Sequence, residues 1–318
     1  MLSIKKLTLK LDNLIHKIFF KYFGKFNSKK SFKNYYGFDE LTKNHLMQNI
    51  FNLQNYSEDA LNHWNKITQE IISQLNTDDS NFLRNEYVKN ALHPDQYYFS
   101  WMYFKELRKK YSKKSLQIYC KDIGLGNPLK DMILKDASPA SLKHFYLLDK
   151  IQKDLEINLN NIDFVTEFGG GYGSMCRIAF NNLKLSKIKW SIIDLPIMVE
   201  LQKAYLKQSL TPETFENITF ENSFKKITPK NKSIFIATWS LSETPIVLRS
   251  SLEEWLNEFS YIFIAFQKNY NEISNLEYFE QLKTKLYNHK VEIYKNKSYP
   301  GHYYLKGRYN KKQTIYKS

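Results

Sequence analysis

Ile162-Asp163-Phe164-Val165-Thr166-Glu167-Phe168-Gly169-Gly170-Gly171-Tyr172-Gly173 runs an apolar segment straight into four of the chain's ten glycines. A short apolar run bounded by glycines predicts a buried strand over 162–168 that ends in a tight turn. Such a turn needs positive φ and a backbone without Cβ, so that a bound cofactor can lie against the main chain. Helical spacing then takes over at 173–183.

Outward from this turn the texture repeats. Strands are expected at 188–194, 217–221, 233–238 and 260–266, and helices near 196–208, 245–257 and 274–288. Alternation of this kind implies right-handed crossovers and a parallel sheet covered on both faces. Two last strands, 290–296 and 302–309, flank Ser298-Tyr299-Pro300-Gly301, which is hairpin chemistry and predicts an antiparallel C-terminal pair. The expected fold class is therefore α/β, a Rossmann-like sheet.

Before residue 157 no strand series is evident. Residues 39–156 read as a helical cap domain, broken by a loop at Gly124-Leu125-Gly126-Asn127-Pro128, after which Ser138-Pro139 opens a helix through His144 and Tyr146. His144 reads as an ordinary helix residue. Within 1–38, a helix is expected over 2–23, where Ile4, Leu7, Leu11, Leu14, Ile15, Ile18 and Tyr22 share one face while Lys6, Lys10, Lys17 and Lys21 take the other. That is a basic amphipathic segment, compatible with peripheral contact with an anionic membrane or with plain docking on the body. The expected organisation is 1–38, 39–156 and 157–318.

Formal charge is +15, and the ends carry all of it. Residues 1–38 hold nine Lys against one Asp, residues 290–318 eight Lys or Arg against one Glu, and the remaining 251 residues hold 30 basic and 30 acidic side chains. An enzyme that grips nucleic acid more often spreads basic surface around its cleft, so no nucleic-acid partner is expected. Cys120 and Cys176 are far apart and lack metal-ligand spacing, so free, buried thiols are expected, with no disulfide and no zinc. No run approaches the length of a membrane span and no cleavage site follows the first apolar stretch, which leads to the expectation of a cytoplasmic protein.

Spacing bears on the cofactor. A dinucleotide fingerprint starting at Gly169 and Gly171 requires glycine at 174, where Ser174 stands. The order present, acidic-x-Gly-x-Gly-x-Gly from Glu167 to Gly173, resembles motif I of class I methyltransferases, which implies S-adenosylmethionine as cofactor. Under that resemblance Glu167 holds the amino-acid portion, directly or through water, and Gly169, Gly171 and Gly173 let the cofactor lie against the main chain. Asp194, about twenty residues on at a strand end, is placed to accept hydrogen bonds from two ribose hydroxyls; its plainer reading is a helix cap ahead of Pro196. Asn222, after the third strand, is the candidate partner of adenine. An NAD-dependent oxidoreductase is the competing enzyme reading, and a non-catalytic membrane- or polyanion-binding protein on the same fold is the competing non-enzyme one.

In an open parallel sheet the ligand lies beyond the carboxyl ends of the strands. There this chain has Thr238-Trp239-Ser240-Leu241-Ser242-Glu243-Thr244-Pro245, Gln267 and His302. Removing a hydroxyl proton as oxygen attacks a methyl group needs a carboxylate or imidazole in reach, which makes His302 and Glu243 the candidate catalytic residues. The plain alternatives are a half-exposed strand histidine and a carboxylate favoured by a helix N-terminus. The Asn or Asp-Pro-Pro-aromatic run typical of amino-group methylation is absent after the fourth strand, and no cysteine lies there for cytosine chemistry. Plant-type O-methyltransferases share Asp194-Leu195-Pro196 but use a histidine just after the fourth strand, whereas none occurs here between His144 and His289.

Taken together, Glu167–Gly173, Asp194-Leu195-Pro196, the 238–245 block and Pro300-Gly301-His302-Tyr303-Tyr304 resemble the sugar O-methyltransferase family of bacterial polysaccharide and antibiotic-glycoside clusters. Weaker echoes lie at Gly126-Asn127-Pro128, and the resemblance spans roughly 120–310. It implies a class I methyltransferase sheet, which here follows the helical region read over 39–156, and a sugar hydroxyl of a glycan or glycoconjugate as acceptor. No Asp/Glu/His set at ligand spacing is evident, so no metal is expected.

Overall fold

A computed structural model describes residues 30–53, 62–91, 97–230, 232–297 and 299–310. The basic helix read over 2–23 lies outside the described residues. The chain divides into two compact units, one comprising residues up to Phe38 with Glu70–Tyr146, the other Asp39–Gln69 with the residues from Leu147 onward.

Helices α1 (Glu40–Asn52), α2 (Asn62–Asp78), α3 (Glu86–Ala91), α4 (Tyr97–Leu107), α5 (Lys113–Tyr119) and α6 (Pro139–Leu155) precede the first strand. Ser138 caps α6 as its sequence suggests: its Oγ accepts from Ser141 N at 3.0 Å, with Pro139 in the first turn where no N–H is needed. The Gly124–Pro128 loop is buried, and Arg84 holds it by donating to the carbonyls of Asn127 (2.7 Å) and Pro128 (3.1 Å). Buried carbonyls without such partners would be costly.

The second unit is built on a seven-stranded sheet. Its strands are β1 (Phe164–Phe168), β2 (Lys189–Ile193), β3 (Ile218–Glu221), β4 (Ser233–Thr238), β5 (Tyr261–Gln267), β6 (His289–Lys295) and β7 (His302–Tyr309), in the spatial order β3-β2-β1-β4-β5-β7-β6. The first five are parallel; β7 runs antiparallel to both β5 and β6. This is the class I methyltransferase sheet that the resemblance implies. The order reverses between β1 and β4, which opens a crevice at their carboxyl ends.

Central strands are apolar on both faces, as a covered parallel sheet requires. Ile234–Ala237 of β4 and Ile262–Phe266 of β5 are fully buried. One face packs Phe235, Ile262, Ile264, Phe266 and Leu305 against Leu252, Trp255 and Leu256 of α10 (Ile246–Leu256) and Tyr278, Phe279 and Leu282 of α11 (Asn275–Lys285). Helix α8 (Pro196–Ser209) follows β2, with the short α9 (Pro212–Phe215) after it, and packs beside α1, where Asn49 Nδ2 donates to Glu200 Oε2 at 2.7 Å and Asp39 N donates to Gln208 Oε1 at 2.9 Å.

The helix expected at 173–183 differs in kind. It is α-helical only over α7 (Ser174–Arg177), then widens into a π turn over Ile178–Asn182 that closes through Leu183 N to Ile178 O at 3.0 Å. Periodicity cannot register one extra residue per turn, so sequence alone gives a plain helix. Cys120 and Cys176 are free and buried, as expected. Among the described residues, no helix is long and apolar enough to cross a membrane.

Candidate active site at the carboxyl edge of the sheet

The glycine turn is stitched to the end of β2. Gly169 N donates to Ile193 O at 2.8 Å, and Gly169, Gly171 and Gly173 have φ of +74°, +57° and +94°. At Gly169 a side chain is excluded twice over, by φ and because a Cβ would run into the Ser240 side chain. Gly170 has ordinary φ but little room, since a Cβ there would stand 2.7 Å from Ile192 Cγ2. Sequence spacing assigned Gly170 no part; its requirement is close packing onto β2.

Two carboxylates flank this turn. Glu167 is 3% exposed and its Oε2 accepts from Trp190 Nε1 at 2.9 Å. Burial pushes it up to about 7, the indole hydrogen bond opposes this, and the nearby Asp194 charge adds to it. Asp194 keeps partial exposure as a residue, but its carboxylate is withdrawn from water, and that raises it to about 7. Hydrogen bonds from Leu195 N (2.8 Å), Gln202 Nε2 (2.6 Å) and the amides of Gly170 and Gly171 work the other way. Among the described residues no cation pairs with either carboxylate.

Gln202 escapes sequence reading. It sits on α8, wholly buried, and its Nε2 bridges Asp194 Oδ2 and Gly171 O (2.8 Å), while its Oε1 has no partner. It ties strand end and turn together. An inward glutamine on an amphipathic helix looks, in sequence, like an outward one. Asn222 lies beyond β3, exposed, with Lys226 Nζ donating to its Oδ1 at 3.3 Å; Asp194 N donates to the adjacent Glu221 O at 3.1 Å. The structure thus gathers Glu167, the glycines, Asp194 and the end of β3 at one edge.

A second cluster stands beside the first, joined by Ser240, whose Oγ donates to Phe168 O. After β4 the chain turns sharply: Trp239 has φ +69°, a conformation that costs a non-glycine residue about 1–3 kcal/mol, and Ser240–Glu243 forms a 3₁₀ turn. Trp239 N donates to Ala265 O at 2.7 Å, fastening this turn to β5. Glu243 Oε1 accepts from Gln267 Nε2 at 3.3 Å, and Gln267 Oε1 accepts from Ser242 Oγ at 2.7 Å. Gln267 is the register partner of His302 across β5 and β7. Trp239 Nε1 donates to His302 Nδ1 at 2.6 Å, and Tyr299 stacks on the imidazole at 3.7 Å. Glu243 also acts on Tyr270, which burial and then this negative charge push up to about 12.

Arg249 supports the turn from below. It is fully buried and donates to Thr244 O (2.8 Å), Ser242 O (2.7 Å) and Asn275 Oδ1 (2.7 Å), with its guanidinium over the Tyr278 ring. Burial lowers it to about 10, so it stays a cation at neutral pH. His302, Glu243, Gln267 and the 238–245 block, which sequence selected only by strand-end position, therefore converge, and Trp239, Tyr299 and Arg249 join them.

Solved structures with similar folds include methyltransferases. A SAM dependent methyltransferase from Aquifex aeolicus matches at 17% identity and TM-score 0.39 over 51% of this chain and 89% of that one. The mitomycin 7-O-methyltransferase MmcR matches at 10% identity and TM-score 0.38 over 70% and 71%. A chain of the Pnkp1/Rnl/Hen1 RNA repair complex matches at 16% identity and TM-score 0.39 over 51% of this chain but only 40% of its own length. The likeness concerns the fold. No family model matches the sequence, and no curated protein sequence does either.

Proposed function

We propose that the protein is an S-adenosylmethionine-dependent O-methyltransferase whose acceptor is a sugar hydroxyl of a glycan or glycoconjugate. The observation that carries the donor assignment is the glycine turn laced to Asp194 with Glu167 buried beneath it. Both carboxylates lack a cationic partner among the described residues, and a ligand with a free ammonium and two ribose hydroxyls supplies what they lack. Glu167 takes the amino-acid end, Asp194 the ribose, and Asn222 the adenine; Gly169, Gly171 and Gly173 give the main chain room.

When bound, the cofactor presents an electrophilic methyl group on a sulfonium. The Glu243–His302 cluster is joined to the glycine turn through Ser240, and its groups suit a hydroxylated acceptor. Glu243 and His302 are the polar reagents, while the Trp239 and Tyr299 rings offer apolar faces to sugar C–H groups. With the donor bound, Glu243 and His302 would receive the proton of the acceptor hydroxyl as its oxygen took the methyl group and the sulfur left as a neutral thioether.

The test is direct. Calorimetry should show S-adenosylhomocysteine binding, and Asp194→Ala should weaken it about tenfold or more, in line with a lost charged hydrogen bond. Unchanged binding by the variant would sink the ribose assignment. With labelled S-adenosylmethionine, label should enter a glycoside or lipid-linked glycan; label entering only RNA would overturn the acceptor assignment. NAD should not bind, since Ser174 stands where the third fingerprint glycine is needed.

A further inference from the structure

The hydrogen bond between Trp239 and His302 restricts what His302 can do. Indole has one N–H and no acceptor. With Trp239 Nε1 donating to Nδ1 at 2.6 Å, the Nδ1 atom must carry a lone pair. A neutral imidazole so held has its proton on Nε2. Tyr299, stacked at 3.7 Å and 15° between planes, prevents the ring from turning to exchange its nitrogens. The unfavourable φ of Trp239 aims the indole at that ring.

For His302 to accept a proton on Nε2 it would first need the other tautomer, and it would then end as an imidazolium. Either state sets an Nδ1–H head-on against the indole N–H across 2.6 Å. The hydrogen bond from Gln267 sets no such conflict at Glu243, because an ionised carboxylate accepts only and Gln267 Nε2 already donates to one of its oxygens.

We infer that Trp239 is a positioning residue that fixes His302 as a hydrogen-bond donor through Nε2, so that Glu243, not His302, takes the acceptor's proton. This rests on the methyl-transfer reading above. A donor aimed at the attacking oxygen would blunt it, so His302 holds a neighbouring oxygen of a polyhydroxylated acceptor. It thereby selects which hydroxyl faces the methyl group. The balance is complete: oxygen gains the methyl carbon, sulfur regains the C–S pair, and the O–H proton ends on the Glu243 carboxylate.

Three measurements test this. Long-range ¹H–¹⁵N correlation spectra of the wild-type protein should show neutral His302 as the Nε2–H tautomer, and Trp239→Phe, which keeps a ring but no N–H, should yield a mixture with Nδ1–H. In methyl-transfer assays Glu243→Gln should lower kcat by about 100-fold or more, the scale of a lost general base. His302→Gln keeps a donor and should stay within about tenfold of wild type, well above His302→Leu, with the loss falling mainly on acceptor KM. An Nδ1–H tautomer in the wild-type protein would overturn the inference, as would His302→Gln as inactive as His302→Leu beside an active Glu243→Gln. If the wild-type protein fails to bind S-adenosylhomocysteine, the donor reading falls while the tautomer measurement still decides the Trp239 role.

Discussion

Glu167 and Asp194 lie close enough that the Asp194 charge raises Glu167, and both carboxyls are held near pH 7 against ordinary values of 4.5 and 3.8. A carboxyl raised on folding binds its proton more tightly in the native state, so it adds stability that is complete below its unfolded value and lost as pH rises through about 7. The ligand-free protein should therefore melt at lower temperature at pH 8 than at pH 6.5, as scanning calorimetry can measure. His289, whose burial holds it below its ordinary 6.5, destabilises as pH falls through that value and so opposes this trend only at the acid end of the window. S-adenosylhomocysteine, with its ammonium, prefers the ionised carboxylates, so its binding should tighten about tenfold per titrating group between pH 6 and pH 8. Asp194→Asn should flatten part of that slope. A pH-independent Kd would mean that neither carboxylate meets the ligand.

Helix α10 shows how one buried side chain can shape a loop that sequence treats as irregular. Arg249 satisfies the carbonyls of Ser242 and Thr244 and the Asn275 amide oxygen at once. Arg249→Met keeps bulk but orphans three acceptors, each worth about 1–3 kcal/mol when left buried and unpaired. Urea unfolding should show a loss of about 3 kcal/mol, and Arg249→Lys should not restore it, because an ammonium lacks the planar fork. Since the glycine turn does not touch Arg249, S-adenosylhomocysteine affinity should survive while methyl transfer falls; equal loss of both would show that the two clusters are not separable. Much of this half of the chain is legible in sequence. The reading of 233–238 and 302–309 matches β4 and β7 residue for residue, and the Glu167–Gly173 turn is marked by glycines that only backbone geometry explains. Gln202 and Arg249 are not legible, because a polar residue on an amphipathic helix reads as solvent-facing until its neighbours are known. The π turn after Arg177 and the positive φ of Trp239 are likewise set by tertiary contacts, not by local propensity.

At the scale of the molecule, average charge hides local charge. The formally neutral middle of the chain holds Arg108, Lys109, Lys110, Lys113 and Lys114, all exposed, so neutrality there is a sum over distant residues. Stability is local as well. Both polar clusters belong to the unit formed by Asp39–Gln69 and the residues from Leu147 onward, and the turn, the β2 end and Gln202 form one network within it. A ligand that binds the folded state at a hundred times its Kd adds about 2.7 kcal/mol to stability. That corresponds to a rise of roughly 5–10 °C for a unit of this size. S-adenosylhomocysteine should produce a shift of that order, and hydrogen exchange should slow at Gly169–Gly173 and at the amides following β2, because the ligand holds closed the turn in which these amides are bonded. A shift of that size with no added protection at Gly169–Gly173 would place the ligand elsewhere and remove the physical basis for reading the turn as the donor site.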